Sequence, residues 1–117
     1  MERIEVYPNV SSDFTIDFLV EGVRIQLRFI YNVESELWMI NSYKELDNDI
    51  EWNGIVVKEQ YPLTYGLSVS IRGTLMVGKT DKEVADTIEY NTFGNGWDLF
   101  YLTPAEFEAW EDAHGLQ

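Results

Sequence analysis

Two runs of strict alternation, separated by one Glu-Gly pair, constrain this chain more than any other feature. In Phe14–Val20, the residues Phe14, Ile16, Phe18 and Val20 share one face; Thr15 and Asp17 take the other, with Leu19 the apolar exception. In Val23–Tyr31, the residues Val23, Ile25, Leu27, Phe29 and Tyr31 share one face, and Arg24, Gln26 and Arg28 the other. A period of two suits a half-buried strand and wastes the 3.6-residue period of a helix. Gly22 takes φ > 0 without steric cost, so Glu21-Gly22 predicts a two-residue hairpin loop. After Asn32–Ser35, the aromatic and aliphatic stretch Leu37–Tyr43 predicts a third strand. The three segments predict an antiparallel meander that the rest of the chain packs against.

The remaining segments extend this β body. Residues 2–7 alternate and predict a short edge strand ended by Pro8, which has no N–H to give to a ladder. Lys44–Asp49 is a polar connection. Asn53-Gly54 between Ile50–Trp52 and Ile55–Val57 predicts a second hairpin with Trp52 at its tip. Glu59–Gly66 reads as a loop with aromatic anchors. Leu67–Val77 is strand-like, split near Arg72-Gly73, and Gly78–Glu83 is a charged turn. Val84–Glu89 fits either one helical turn or an irregular loop. Asn91–Gly96 is turn-rich, and Trp97–Leu102 is a compact apolar strand. Thr103-Pro-Ala-Glu106 is a capping box with proline at the first helical position, so a helix is expected from Pro104 to about Ala113, stopped near His114-Gly115. So short a helix is not stable alone, and Phe107 and Trp110, on one face, must pack on the domain or on a partner. The expected fold is all-β and mainly antiparallel, a small sandwich or partly open barrel with a C-terminal α-helix. Residues 1–117 form a single domain, with a β-rich body over 4–102 and the helix over 103–114.

Charge and composition narrow the function. With 21 acidic and 8 basic residues the net charge is −13, which repels phosphate backbones and anionic lipid. Neither nucleic acid nor membrane is expected as a partner. No apolar run reaches the ~18 residues that span a bilayer, and Met1-Glu-Arg-Ile-Glu lacks the apolar core of a signal peptide. Without cysteine there is no disulfide and no thiolate metal site. An acidic domain suits docking on a basic protein surface. It also suits imitation of DNA, although the acids are spread along the chain.

Three patterns that could carry chemistry are weak. Gly73-Thr-Leu-Met-Val-Gly78-Lys79-Thr80 satisfies the G-x-x-x-x-G-K-[ST] phosphate-loop pattern, but its central residues are strand material and the domain is too short for a doubly wound sheet. Asp47-Asn-Asp-Ile-Glu51 begins like a calcium loop, yet Trp52 and Lys58 stand where glycine and the bidentate glutamate belong. His114, the single histidine, falls at a helix end where it complements the dipole. We therefore expect no catalytic residues, no cofactor and no metal. The aromatics remain. Trp52, Tyr61, Tyr65, Phe107 and Trp110 are the ones least obviously needed inside, and large aromatics at such positions suit interface anchors.

In order and layout the chain resembles the phage baseplate plug family of a cyanophage contractile tail. The resemblance rests on the apolar strand Phe14–Val20, the turn ending in Gly22-Val23 and the alternation Arg24-Ile-Gln-Leu-Arg-Phe29. It continues through Leu37-Trp38, Asn53–Val57, Gly73–Val77, Phe93-Gly94 and Leu99–Leu102. It covers residues 4–102. The helix beyond and the strong negative charge depart from the expected pattern. The resemblance implies a non-enzymatic virion component of the tail baseplate, made in the host cytoplasm and docked on hub, spike or tube proteins. It is compatible with a homo-oligomer. The rival functions are an acidic DNA mimic that inhibits a host nuclease or restriction enzyme and, second, a small enzyme using carboxylates or the Gly73–Thr80 loop.

Overall fold

The computed structural model describes residues 1–6, 12–64 and 67–114. The described residues form, in chain order, β1 (Glu2–Ile4), β2 (Asp13–Val20), β3 (Val23–Asn32), β4 (Leu37–Glu45), β5 (Ile50–Val56), β6 (Thr74–Lys79), β7 (Trp97–Leu102) and α1 (Pro104–His114). All strand pairs are antiparallel and fall into two sheets, β2-β3-β4-β5 and β1-β7-β6. One apolar cluster joins them: Ile16, Ile25, Leu27 and Phe29 from the larger sheet meet Leu75, Val77, Leu99 and Tyr101 from the smaller. This is a sandwich, within the expected fold class.

The first hairpin follows the sequence. β2 and β3 pair without interruption from Asp13↔Ile30 to Val20↔Val23. Glu21 and Gly22 close the loop at φ of 53° and 75°, a type I′ turn whose twist matches that of the strands. Ile16, Val20, Ile25, Leu27 and Phe29 are buried, as the alternation predicts.

The third strand departs from simple alternation because it carries a bulge. Arg28 pairs with Ser42 but Phe29 pairs with Ile40, so Asn41 is an extra residue on β4. One added residue moves every later side chain to the opposite face. Trp38 and Ile40 are buried before the bulge; Tyr43 and Glu45 are buried after it. Glu45, placed by sequence in a polar connection, is therefore the last inward residue of a strand and only 2% exposed.

The Asn53-Gly54 hairpin is not formed. Ile50–Val56 is one strand running along β4, from Glu45↔Ile50 to Met39↔Val56. The chain reverses earlier, through residues 46–49, with Asp49 at φ 53°. Gly54 keeps a positive φ of 73°, spent on the irregularity opposite the Asn41 bulge and not on a turn. Trp52 is thus a mid-strand residue paired with Tyr43, not a tip residue.

The smaller sheet is buried on both faces, which explains its unbroken apolar runs. Leu75, Val77, Trp97, Leu99 and Tyr101 face the sandwich core. Met76 and Leu102 are also buried, on the opposite face, where they line a groove with Phe100 and Trp110. The helix therefore covers the outer face of this sheet. Its start is capped as predicted: the Thr103 amide donates to Glu106 Oε1 at 2.9 Å and the Glu106 amide to Thr103 Oγ1 at 3.3 Å. The strand expected over Leu67–Val77 begins only at Thr74 and continues into the expected turn as far as Lys79. Val84–Glu89 holds no helix; Ile88 is buried and its amide donates to Glu59 Oε1 at 2.9 Å. The expected edge strand over 2–7 covers Glu2–Ile4, while Pro8 and Gly115 lie outside the described residues.

Candidate docking surfaces

The acidic groups best placed for chemistry are occupied as structural ties. Glu45 accepts from the Tyr43 hydroxyl at 2.9 Å, the Ser70 amide at 2.9 Å, Asn48 Nδ2 at 3.0 Å and the Ser70 hydroxyl. Burial works against its ionisation, but these donors outweigh it and hold the carboxyl below the usual glutamate range. The same burial, with the carboxylate beside it, pushes the Tyr43 phenol up. Glu21, at the hairpin tip, reaches the other sheet. Its carboxylate accepts from the amides of Arg72 at 2.8 Å and Gly73 at 2.7 Å, and from the Tyr101 hydroxyl at 2.5 Å. Desolvation opposes the charge of Glu21, yet those donors depress its pKa as well. Tyr101 is pushed up to about 12 by burial and by its bond to Glu21.

The phosphate-loop pattern is extended backbone. Thr74–Lys79 is β6, paired with β7 along its length. Gly73 is required by packing: a Cβ there would lie 2.2 Å from the Leu102 carbonyl oxygen and 2.6 Å from the Tyr101 ring. Lys79 Nζ donates to Asp86 at 2.8 Å and Thr80 Oγ1 to the buried Asp98 at 2.5 Å, so both polar members of the pattern hold carboxylates. In the calcium-like stretch, Asp47 pairs with Arg24 at 2.8 Å and Asn48 turns inward to Glu45. Among the described residues no group of three or more acidic or histidine side chains is placed to hold a metal.

The aromatics expected to act as anchors lie on different elements of the fold. Trp52 is half-buried against the core and donates its indole N–H to the Ser68 carbonyl at 3.1 Å. Tyr61 is 40% exposed, with Lys58 Nζ 5.4 Å from its ring centre. Tyr65 lies outside the described residues. Phe107 and Trp110 are half-buried and stack on each other at 6.0 Å and 13°.

Two larger depressions were not legible beforehand, each of about 440 Å³. One, at an end of the sandwich, is lined by Tyr31, Leu37, Glu59 and Tyr90; there Tyr90 stacks on Trp38 at 5.7 Å and 7°. The other runs between β1 and β2, the neighbouring open edges of the two sheets. The outer face of the larger sheet is charged, with Arg28 paired to Asp13 at 2.6 Å and Arg24 to Asp47. Such exposed pairs contribute little to stability and leave a polar, soluble face.

Among the described residues, the carboxylates of Glu21, Glu45 and Asp98 are tied into the frame of the two-sheet fold. A family model described as Cyanophage baseplate Pam3 plug gp18 matches residues 1–104. The chain belongs to the cyanophage baseplate plug family. No curated protein matches it. The family match spans all seven strands and ends at the first residue of α1, so the helix that shields Met76, Phe100 and Leu102 lies beyond the matched part of the plug. Membership gives the chain a structural role in the baseplate of a phage tail.

Proposed function

We propose that this plug is a non-enzymatic tail component held by hub, spike or tube proteins through surface complementarity, its acidic exterior facing basic neighbours. The family match over residues 1–104 carries this reading. The use of Glu21, Glu45, Lys79, Thr80 and Asp98 in internal hydrogen bonds supports it, because the polar groups most suited to catalysis are already engaged. Tyr61 and the exposed parts of Phe107 and Trp110 contribute contact area in this picture. The test is mass spectrometry of purified virions together with affinity capture from infected cells. Peptides of this protein in particles, and tail proteins in the captured material, are the expected result. Capture of a host nuclease without tail proteins would instead identify an acidic DNA mimic and overturn the proposal.

A further inference from the structure

Among the described residues, β2 presents an unpaired strand edge. In a two-residue hairpin the residues flanking the loop, Val20 and Val23, exchange both backbone hydrogen bonds, and every second pair repeats this. The bond from the Tyr31 amide to the Ser12 carbonyl at 2.8 Å fixes the same parity at the far end. The even-numbered residues of β2 are therefore spent on β3. Thr15, Asp17 and Leu19 turn their N–H and C=O groups the other way, and among the described residues β2 has no strand partner on that side. These groups open onto the groove of about 440 Å³ between β2 and β1. Its apolar part includes Ile4 and Phe18, and Phe18 faces inward on its strand yet remains half-exposed.

Natural sheets blunt their edges with bulges, prolines, lysines or covering loops. The edge of β6 is covered: Glu59 and Pro62 bridge to it, and the amides of Gln60 and Leu63 donate to Val77 and Leu75 at 2.9 Å. The edge strand β5 carries an irregularity at the left-handed Gly54. β2 has eight residues with no proline, no bulge and no lysine.

We propose that β2 accepts an added strand from a neighbouring tail protein, an extended segment with lysine or arginine at alternate positions and apolar residues between them. The inference rests on the plug reading and specifies its docking site. Charge selects the partner. The groove carries Glu2, Glu5 and Asp17, against Arg3, which is tied to Asp98 at 3.2 Å. A second copy fits poorly: antiparallel pairing centred on Asp17 sets two carboxylates directly opposite, between chains that each carry −13. Alternate apolar side chains of a basic strand would cover Phe18, while its backbone would pair with Thr15, Asp17 and Leu19.

Two measurements test this. In the free protein, hydrogen exchange by NMR should find the Thr15, Asp17 and Leu19 amides fast and those of Ile16 and Phe18 protected. Protection of the odd-numbered amides in the free chain would mean that the edge is already covered, and would overturn the proposal. In complemented phage, Asp17→Pro removes an outward N–H that the fold does not use, so incorporation into particles should fall at least tenfold with little change in Tm. If that variant misfolds, the double change Glu5→Lys with Asp17→Lys should also lower incorporation. Normal incorporation of either soluble variant defeats the edge proposal alone, whereas absence of the wild-type protein from particles defeats the plug reading. A micromolar dimer dissolved by Asp17→Pro would show a second copy on the edge and refute the basic partner.

Discussion

Replacing Glu45 by glutamine tests the internal logic of the sandwich most directly. The side chain keeps its shape, but one oxygen becomes an NH2 group, which donates where it must accept. With the nitrogen at the Oε1 position it faces Asn48 Nδ2; at the Oε2 position it faces the Ser70 amide. The Ser70 and Tyr43 hydroxyls can rotate to accept, whereas the two N–H donors cannot. One hydrogen bond to a buried charge is therefore lost in either orientation. At ~1.5–3 kcal/mol for such a bond, Glu45→Gln should cost about 2 kcal/mol. For a domain of this size that lowers Tm by roughly 8 °C. Thermal and urea unfolding at pH 7 would measure it. The sign with pH follows from the depressed carboxyl: its contribution is complete above the ordinary value of 4.5 and is lost as pH falls through the lower folded value. The gap between wild type and variant should thus close in acid. A deficit under ~0.5 kcal/mol at pH 7, well below the strength of a hydrogen bond to a charged group, or one that persists unchanged in acid, would refute the reasoning.

Two further perturbations probe the seam between the sheets. Gly73→Ala drives a methyl group into the Leu102 carbonyl and the Tyr101 ring, so it should cost at least the ~1–3 kcal/mol of core overpacking, read as a lower urea midpoint; an unchanged midpoint would show that this backbone does not lie so close to β7. Tyr101→Phe deletes the hydroxyl that Glu21 accepts and should cost ~1.5–3 kcal/mol near neutrality. Because the Tyr101 pKa is raised from 10.0 to about 12, its contribution is complete below pH 10 and fades as pH climbs toward 12, so the wild-type advantage should shrink over that window. Parallel alkaline unfolding curves for the two proteins would contradict the role assigned to the Glu21 clamp.

Some of this was legible residue by residue. The alternation of Phe14–Val20 and Val23–Tyr31 is a local property, because each side chain's face follows from its parity, and the β2–β3 hairpin formed accordingly. The capping box at Thr103 is equally local, since donor and acceptor lie three residues apart. The resemblance to a baseplate plug was likewise carried by the order of short motifs, and residues 1–104 match that family. The Asn53-Gly54 signal failed because a left-handed glycine satisfies a mid-strand irregularity as well as a turn, and pairing with β4 decided between them.

What the chain order could not contain is which distant groups meet. The Asn41 bulge depends on how β4 pairs with β3, and it alone turns Glu45 from solvent to core. The Glu21 clamp spans 80 residues to Tyr101. The open edge of β2 exists only because no other described strand arrives to pair with it. Parity and caps are short-range and are written in neighbouring residues. Register across sheets, and the backbone groups left over once the sheets have formed, are long-range and are settled only when the whole chain has packed.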